Sequence, residues 1–519
     1  MLNHEVTKNN LCRDCHSKRL PYCLLICVVA LIFVFQNDNH GFQKGHHGFL
    51  SSHGMTLSSN LSLKHHLLMF NRMYLEKDGK IYYETYNRFP VGFFLILKIF
   101  IFPFSHDFSM QISIARNVMI SFFAAALYIA FLSIRRLTKN TSMSMAIVLL
   151  SFSSYYCMYY NDMIFNDVPT FFGLLLTFHG MVIYIQENRF PQLLFKVMFG
   201  LFFGWQVLAL ILPFIVYGML EVWLSSGAFS RVVKSRFLLL GLFSFLFAAF
   251  LLSCNLLNES ITMKKPFYQI PTFNKMLWRM GLIENKTLRQ SEEKIPKGKF
   301  LSDQSYRIGR MSIPFIFVPY RGNYRLIIVY GFCVSLCCIL AIIYARRKIL
   351  VTSLFLSGFC WALPMWNFTG IHDFQSIFYI GIPLIFYSFL LILAGKLYKS
   401  MIFYSAIIAS VIFILTIIQI NMFKSVAADT NNNLITSDFQ RIADKIGYGR
   451  KVYITENYNA IGGAHHGFAY YLSGNYIQKS PDDAEYLLSE RKKSFPILLT
   501  NENTKVFLFE NVSSENQNP

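Results

Sequence analysis

Residues 83–104 read YETYNRFPVGFFLILKIFIFPF. The apolar part, 91–104, is about 14 residues long, whereas a helix needs ~20 to cross the hydrocarbon core of a bilayer. We read it as an interfacial or re-entrant helix. Pro90 opens it, because a fixed φ and a missing N–H suit a first turn. This reading decides the topology: counting 91–104 as a crossing would invert every connection that follows.

Working outward, apolar runs fall at 20–36, 113–134, 142–160, 168–186, 193–207, 208–225, 237–256, 324–345, 349–366, 376–395 and 400–423. The stretch 193–225 is too long for one crossing, and Gly204 and Pro213 mark a break between two short helices. With the N-terminus inside, inner connections should be basic. They carry Arg135, Arg136 and Lys139, then Arg189, then Arg231, Lys234 and Arg236, then Arg346, Arg347 and Lys348, then Lys396 and Lys399. The prediction is a mainly α, polytopic transmembrane helix bundle of about eleven spans with interfacial helices. Residues 1–19 are a cytoplasmic segment, and 20–423 form the membrane domain. Its first outer loop is 37–112 and its large outer loop 257–323, with shorter outer loops at 161–167 and 367–375.

The tail, 424–519, changes composition. Strands are expected at 452–455, 496–500 and 506–509, helices at 437–446 and 482–491, and a linker at 431–433. That describes a small C-terminal α/β soluble domain outside the cytoplasm.

The whole-chain numbers agree. The 519 residues are 54% hydrophobic, 17% aromatic and only 15% charged, where a soluble domain carries about 25% charge. The formal net charge of +20 would suggest nucleic acid in a soluble protein. Here the cations sit between apolar runs, so no nucleic-acid partner is expected, and the outer excess suits an anionic lipid-linked substrate. Most cysteines lie in or beside apolar runs and read as small hydrophobes. Cys12-Arg13-Asp14-Cys15-His16 matches a haem attachment string, but it lies among Lys8, Lys18 and Arg19 on the predicted cytoplasmic side, where haem is not attached.

Ionisable groups at a membrane are functional candidates by default. Asp38 follows the first span and could serve as a base for an acceptor hydroxyl. His40, His46, His47, His53, His65 and His66 share one loop, which leaves a divalent metal open as a cofactor, though none is required. The string HHGF at 46–49 recurs at 465–468 in the tail. Glu84 and Arg88 precede the interfacial helix, and Arg116 enters the second span from outside, where it could pair with phosphate or with an acid. Asp162 and Asp167 flank a short outer turn, and Asp167 could equally cap the helix that follows. In 257–323, Arg279 and Arg310 are interleaved with aromatics, as in an amphipathic helix lying on lipid. Either Arg could hold the phosphate of a lipid-linked donor. His372 and Asp373 lie before the tenth span.

Together these features resemble the GT-C superfamily of membrane glycosyltransferases, which includes the protein O-mannosyltransferases and the aminoarabinose transferases. The resemblance rests on an acid in the first outer loop, the string Tyr86-Asn87-Arg88-Phe89-Pro90-Val91-Gly92 before an interfacial helix, Arg116 at the second span, an acid at 162 or 167, and an outer tail domain. The usual first-loop acid pair is absent, and His46-His47 stands near its place. The resemblance implies transfer of a sugar from a polyprenyl-phosphate donor to a lipid, glycan or protein outside the cytoplasm. Asp38 would activate the acceptor, Asp162 or Asp167 would orient it or the donor, and Arg116 or a loop Arg would hold the phosphate. It also favours a bacterial plasma membrane. A transporter or flippase of a lipid-linked glycan, or a non-catalytic scaffold, are the competing readings. The oligomeric state is open.

Overall fold

The structure, a computed structural model, describes residues 22–23, 25–34, 45–75, 79–227, 231, 235–280, 282, 297–317, 322–365, 368–369, 372–397, 401–427, 432–454, 470–473, 475–478, 484–489, 497–500 and 507–510. Each apolar run is largely helical where described. In chain order the helices are α1 Leu25–Val34, α2 Gly45–Asn60, α3 Gly92–Ile101, α4 Phe108–Thr138, α5 Thr141–Phe152, α6 Tyr155–Tyr159, α7 Asp167–Glu187, α8 Phe190–Leu201 and α9 Val207–Ser226. They continue as α10 Arg236–Met263, α11 Pro271–Arg279, α12 Lys297–Ser312, α13 Tyr324–Tyr344, α14 Lys348–Ala362, α15 Gly381–Leu397 led by a 3₁₀ stretch Asp373–Ile380, α16 Met401–Ala427 and α17 Asn432–Ile446.

Among the described residues, 7 helices are long and apolar enough to cross a membrane alone. These are α4, α7, α9, α10, α13, the 373–396 stretch and α16. The α1, α5, α8 and α14 helices are apolar but shorter. The 91–104 run is helix α3 followed by a 3₁₀ turn at Phe102–Phe104, short as expected. Its first helical residue is Gly92, so Pro90 precedes the helix rather than opening it.

Two breaks differ from expectation. The run 142–160 divides at Ser153–Ser154, because Ser154 bridges to Pro314 and caps α6 through its side chain. In 193–225 the break is at 202–206 around Gly204, and Pro213 lies inside α9. Lipid tails are as apolar as the side chains, so these helices gain their cohesion from close packing. Gly173 of α7 and Gly200 of α8 meet backbone to backbone: a Cβ on Gly173 would stand 2.9 Å from the Gly200 Cα.

The basic connections gather at one end. Arg136 at the end of α4 pairs with Glu187 at the end of α7, 2.5 Å, and Arg236 at the start of α10 donates to the Asn188 side chain, 2.6 Å. Asp167 begins the same helix that Glu187 ends, which places it ~30 Å away along the axis. The polar turn and the basic connections therefore occupy opposite ends of α7.

The strands are β1 Phe70–Leu75, β2 Ile81–Thr85, β3 Lys451–Ile454, β4 Tyr476–Ile477, β5 Tyr486–Ser489, β6 Ile497–Thr500 and β7 Phe507–Glu510. They form one mixed sheet in the order β2-β1-β4-β3-β5-β7-β6. The β1 and β4 strands run parallel, with Met73 opposite Tyr476. First-loop strands thus complete the tail's sheet, and loop and tail must lie on the same side of the membrane. The expected helix at 482–491 is instead strand β5 at 486–489, buried at Leu487 and Leu488 between β3 and β7. The expected linker at 431–433 enters α17 at Asn432.

Within the 257–323 region, α12 buries Phe300, Gln304, Arg307, Ile308, Arg310 and Met311 in the protein. Arg307 and Arg310 are thus packed side chains.

Candidate active site

Helix α2 is unusual in burying small polar residues, among them Ser51, Ser52, His53 and Thr56. Ser51 and His53 meet the turn 160–166 between α6 and α7. Ser51 Oγ accepts from the Ile164 N–H, 3.1 Å, and Gly54 lets the Ile164 carbonyl reach the helix axis. A Cβ at 54 would fall on that oxygen. Gly54→Ala is therefore expected to destabilise the protein by about 1–3 kcal/mol, as overpacking does, seen as a lower melting temperature in detergent. An unchanged midpoint would mean the contact is loose.

The turn presents Asp162, 1% exposed. One carboxylate oxygen, Oδ1, accepts from His47 Nε2 at 3.0 Å and from Lys424 Nζ at 2.6 Å. His47 comes from the first turn of α2 and Lys424 from the last turn of α16. Arg116, in the third turn of α4 and 1% exposed, adds its positive potential. Burial alone would raise the Asp162 pKa, but Lys424, then His47 and Arg116, outweigh it and hold the carboxyl well below the usual carboxylate range. At His47 the balance goes the other way: burial outweighs the attraction of Asp162 and lowers its pKa. The imidazole is thus neutral, Nε2–H donates to the carboxylate, and Nδ1 has no hydrogen-bond partner among the described residues. Tyr160 stacks on the ring at 6.1 Å and Tyr159 meets it edge-on at 5.4 Å.

A second group adjoins it. Asp167 is the first residue of α7, and its Oδ1 accepts from Gln375 Nε2, 2.6 Å, whose Oε1 accepts from Trp361 Nε1, 2.8 Å. The residue before it, Asn166, occupies the cap position without a capping bond, so Asp167 is a first-turn anion rather than a cap. The Arg279 guanidinium lies 3.9 Å over Phe368 and 5.5 Å over Phe89. Burial lowers its pKa to about 10, which leaves it charged. Arg88 lies 4.2 Å over Tyr86, and His53 meets Tyr86 edge-on at 4.1 Å. Each acid is preceded by an asparagine, and the side-chain amides of Asn161 and Asn166 are fully buried with no partner among the described residues. Unmet buried amides each cost roughly 1–3 kcal/mol, so such a turn is a place to look for a ligand.

The remaining sequence candidates divide. Asp373 joins the first group, accepting from Tyr160 Oη at 2.8 Å, and the His372 carbonyl accepts from Arg307, 2.8 Å. Arg310 lies 4.5 Å over Tyr155, and Tyr155 stacks on Tyr159 at 5.2 Å. Glu84 does not belong to either group: it is a cross-strand partner of Arg72 on the sheet, 3.9 Å, and accepts from Tyr74 Oη. Asp38, His40 and the 465–468 string lie outside the described residues. Among the described residues, no three His, Cys, Asp or Glu converge as a metal site would require.

Sequence reading missed Lys424, Gln375 and Trp361. Lys424 was placed at the start of the tail. A lone Lys at the outer end of a span runs against the positive-inside pattern, and that was the available signal. No such signal marks Gln375, whose role depends on a side-chain contact 208 residues away.

No protein-family model matches the chain, and no curated sequence does. Solved structures do. The aminoarabinose transferase ArnT from Cupriavidus metallidurans, solved with bound undecaprenyl phosphate, superposes at TM-score 0.57 over 95% of this chain and 98% of its own, at 10% identity. This chain has the GT-C fold. The Archaeoglobus fulgidus oligosaccharyltransferase in its apo form matches at TM-score 0.52 and 10% identity, over 90% of this chain and 65% of its own. The GT-C fold thus accounts for the membrane bundle and the tail together.

Proposed function

We propose that this chain is a membrane glycosyltransferase that moves a sugar from a polyprenyl-phosphate-linked donor to an acceptor hydroxyl on the extra-cytoplasmic face. The observation that carries the reading is the buried group of Asp162, His47, Lys424 and Arg116, drawn from the first loop, the second outer turn and two membrane helices. The GT-C fold supports it, as does the undecaprenyl phosphate bound by ArnT. The basic connections at the opposite end of α7 support an N-terminus inside and the tail outside.

In this reading Asp162 holds the imidazole by Nε2–H, and Nδ1 takes the proton of the acceptor hydroxyl as general base. The acceptor oxygen bonds to the anomeric carbon. The bond from that carbon to the phosphate oxygen breaks, and its electron pair leaves on the polyprenyl phosphate. Lys424 keeps two further N–H donors after its bond to Asp162, and with Arg116 it steadies the phosphate charge. Asp38 is the other first-loop candidate for the proton. The acceptor class, lipid, glycan or protein, stays with the assay.

Asp167 orients the bound sugar through its shared bond with Gln375. Asp167→Asn is expected to lower transfer about 10- to 100-fold, the range for a supporting contact near a reacting centre, with little change in melting temperature. Unchanged transfer would leave Asp167 as a helix-start anion only. The reaction itself is tested by incubating purified protein with labelled polyprenyl-phosphate sugars and following release of polyprenyl phosphate.

A further inference from the structure

A separate cavity of about 300 Å³ lies where the first loop, α3, the start of α4 and the tail meet. It shares no lining residue with the Asp162 group. The tail closes it: Tyr470 Oη donates to Gln111 Oε1 at 2.6 Å, and the Phe108 N–H donates to Gln440 Oε1 at 3.0 Å. Tyr448 and Ser473 of the tail line it directly.

Its chemistry is one-sided. Lys98 lines it, and no carboxylate does. The Lys98 ammonium is half-buried and donates to the Ser59 carbonyl at 2.6 Å, a neutral acceptor that leaves the charge uncompensated. Burial pulls its pKa below the usual lysine value, and a bound anion would reverse that cost. Ser62, Ser105 and Ser473 line the same cavity. The Ser62 Oγ is buried with no partner among the described residues. Phe102 and Tyr448, both 69% exposed, line the same cavity. Helix α3 is too short to cross a bilayer, and Lys98 lies in its last turn.

We infer that this cavity binds a phosphate ester of a polyhydroxyl group, with Lys98 on the phosphate and Ser62, Ser105 and Ser473 on the hydroxyls. That chemistry is common to a phospholipid headgroup and a soluble polyol phosphate. The inference does not depend on the transfer reaction.

The test uses the full chain in two arms. In one, glycerol 1-phosphate is titrated into detergent-purified protein by calorimetry. In the other, nanodiscs of equal phosphatidylglycerol and phosphatidylcholine are stripped, and co-purifying lipid is read by native mass spectrometry. Binding in the first arm identifies a soluble source, and enrichment of phosphatidylglycerol in the second a lipid source. In either, Lys98→Met is expected to weaken binding at least tenfold and Lys98→Arg to retain it. Ser473→Leu, which fills the cavity from the tail side, gives the same loss should Lys98→Met fold poorly. Absence of binding in both arms, or equal binding by wild type and both cavity variants, overturns the assignment.

Discussion

Asp162→Asn is expected to abolish transfer and to destabilise the protein by about 3–5 kcal/mol, the usual cost of removing one partner from a buried ion pair. The cause is local. Lys424 Nζ is 2.6 Å from the carboxylate and its side chain is 4% exposed, so an amide in place of the acid strands a cation. Losing the structural and chemical roles together would be ambiguous; a second substitution restores the structural one, and Lys424→Met alone is the control for the phosphate contact that it also removes. Adding Lys424→Met removes the stranded charge. We expect the double variant to regain most of the melting temperature and none of the turnover. Recovery of turnover alongside stability would make the carboxylate a structural counter-ion only. Acidification probes the same group. A carboxyl whose folded pKa is depressed contributes stability that is full above the unfolded value of ~3.9 and is lost only as pH falls through the folded value. Between pH 7 and 5, Asp162 therefore costs nothing.

His47→Gln is expected to lower kcat about 10²- to 10⁴-fold, the range for removing a positioned general base. The glutamine amide can still donate to Asp162, so the melting temperature should hold while the free ring nitrogen disappears. The pH profile discriminates further. Burial lowers the His47 pKa, so the wild-type rate should fall on an acid limb below the ordinary value of ~6.5. Stability follows the same sign. Below ~6.5 the unfolded state binds a proton that the buried ring resists, so stability declines as pH falls toward the folded value. In His47→Gln both the acid limb and this decline should be gone. A retained acid limb would move the base to another residue, with Asp38 the first to test by Asp38→Asn.

Much of the bundle was legible because long apolar runs have one solution in a bilayer: a helix that satisfies its own backbone. The short 91–104 run was legible for the same reason, through its length. Helix breaks were not. Residues 153–154 and 202–206 interrupt apolar stretches because of contacts made elsewhere, Ser154 with Pro314 and Gly204 against Thr170. The tail was read in part. Four-residue strands carry too little periodicity to separate strand from helix, which is why 486–489 was misread. The joining of β1 to β4 pairs residues about 400 positions apart, and nothing local encodes it.

The candidate site shows the same division. Asp162, Asp167, Arg116, His47 and Arg279 stood out because charge and imidazole are costly at a membrane. Their grouping did not, since Asp162 and Lys424 are 262 residues apart. The pairing of Asp162 with a histidine and a lysine at once depends on three segments meeting, and only the fold supplies that.

The most direct measurement is release of polyprenyl phosphate from tritium-labelled polyprenyl-phosphate hexose and pentose donors by the full chain in nanodiscs, beside folded His47→Gln and the stabilised Asp162→Asn, Lys424→Met double variant. The account predicts release by wild type with at least one donor and its loss in both variants. Equal release by wild type and variants, or donor binding by wild type without any release, would contradict it.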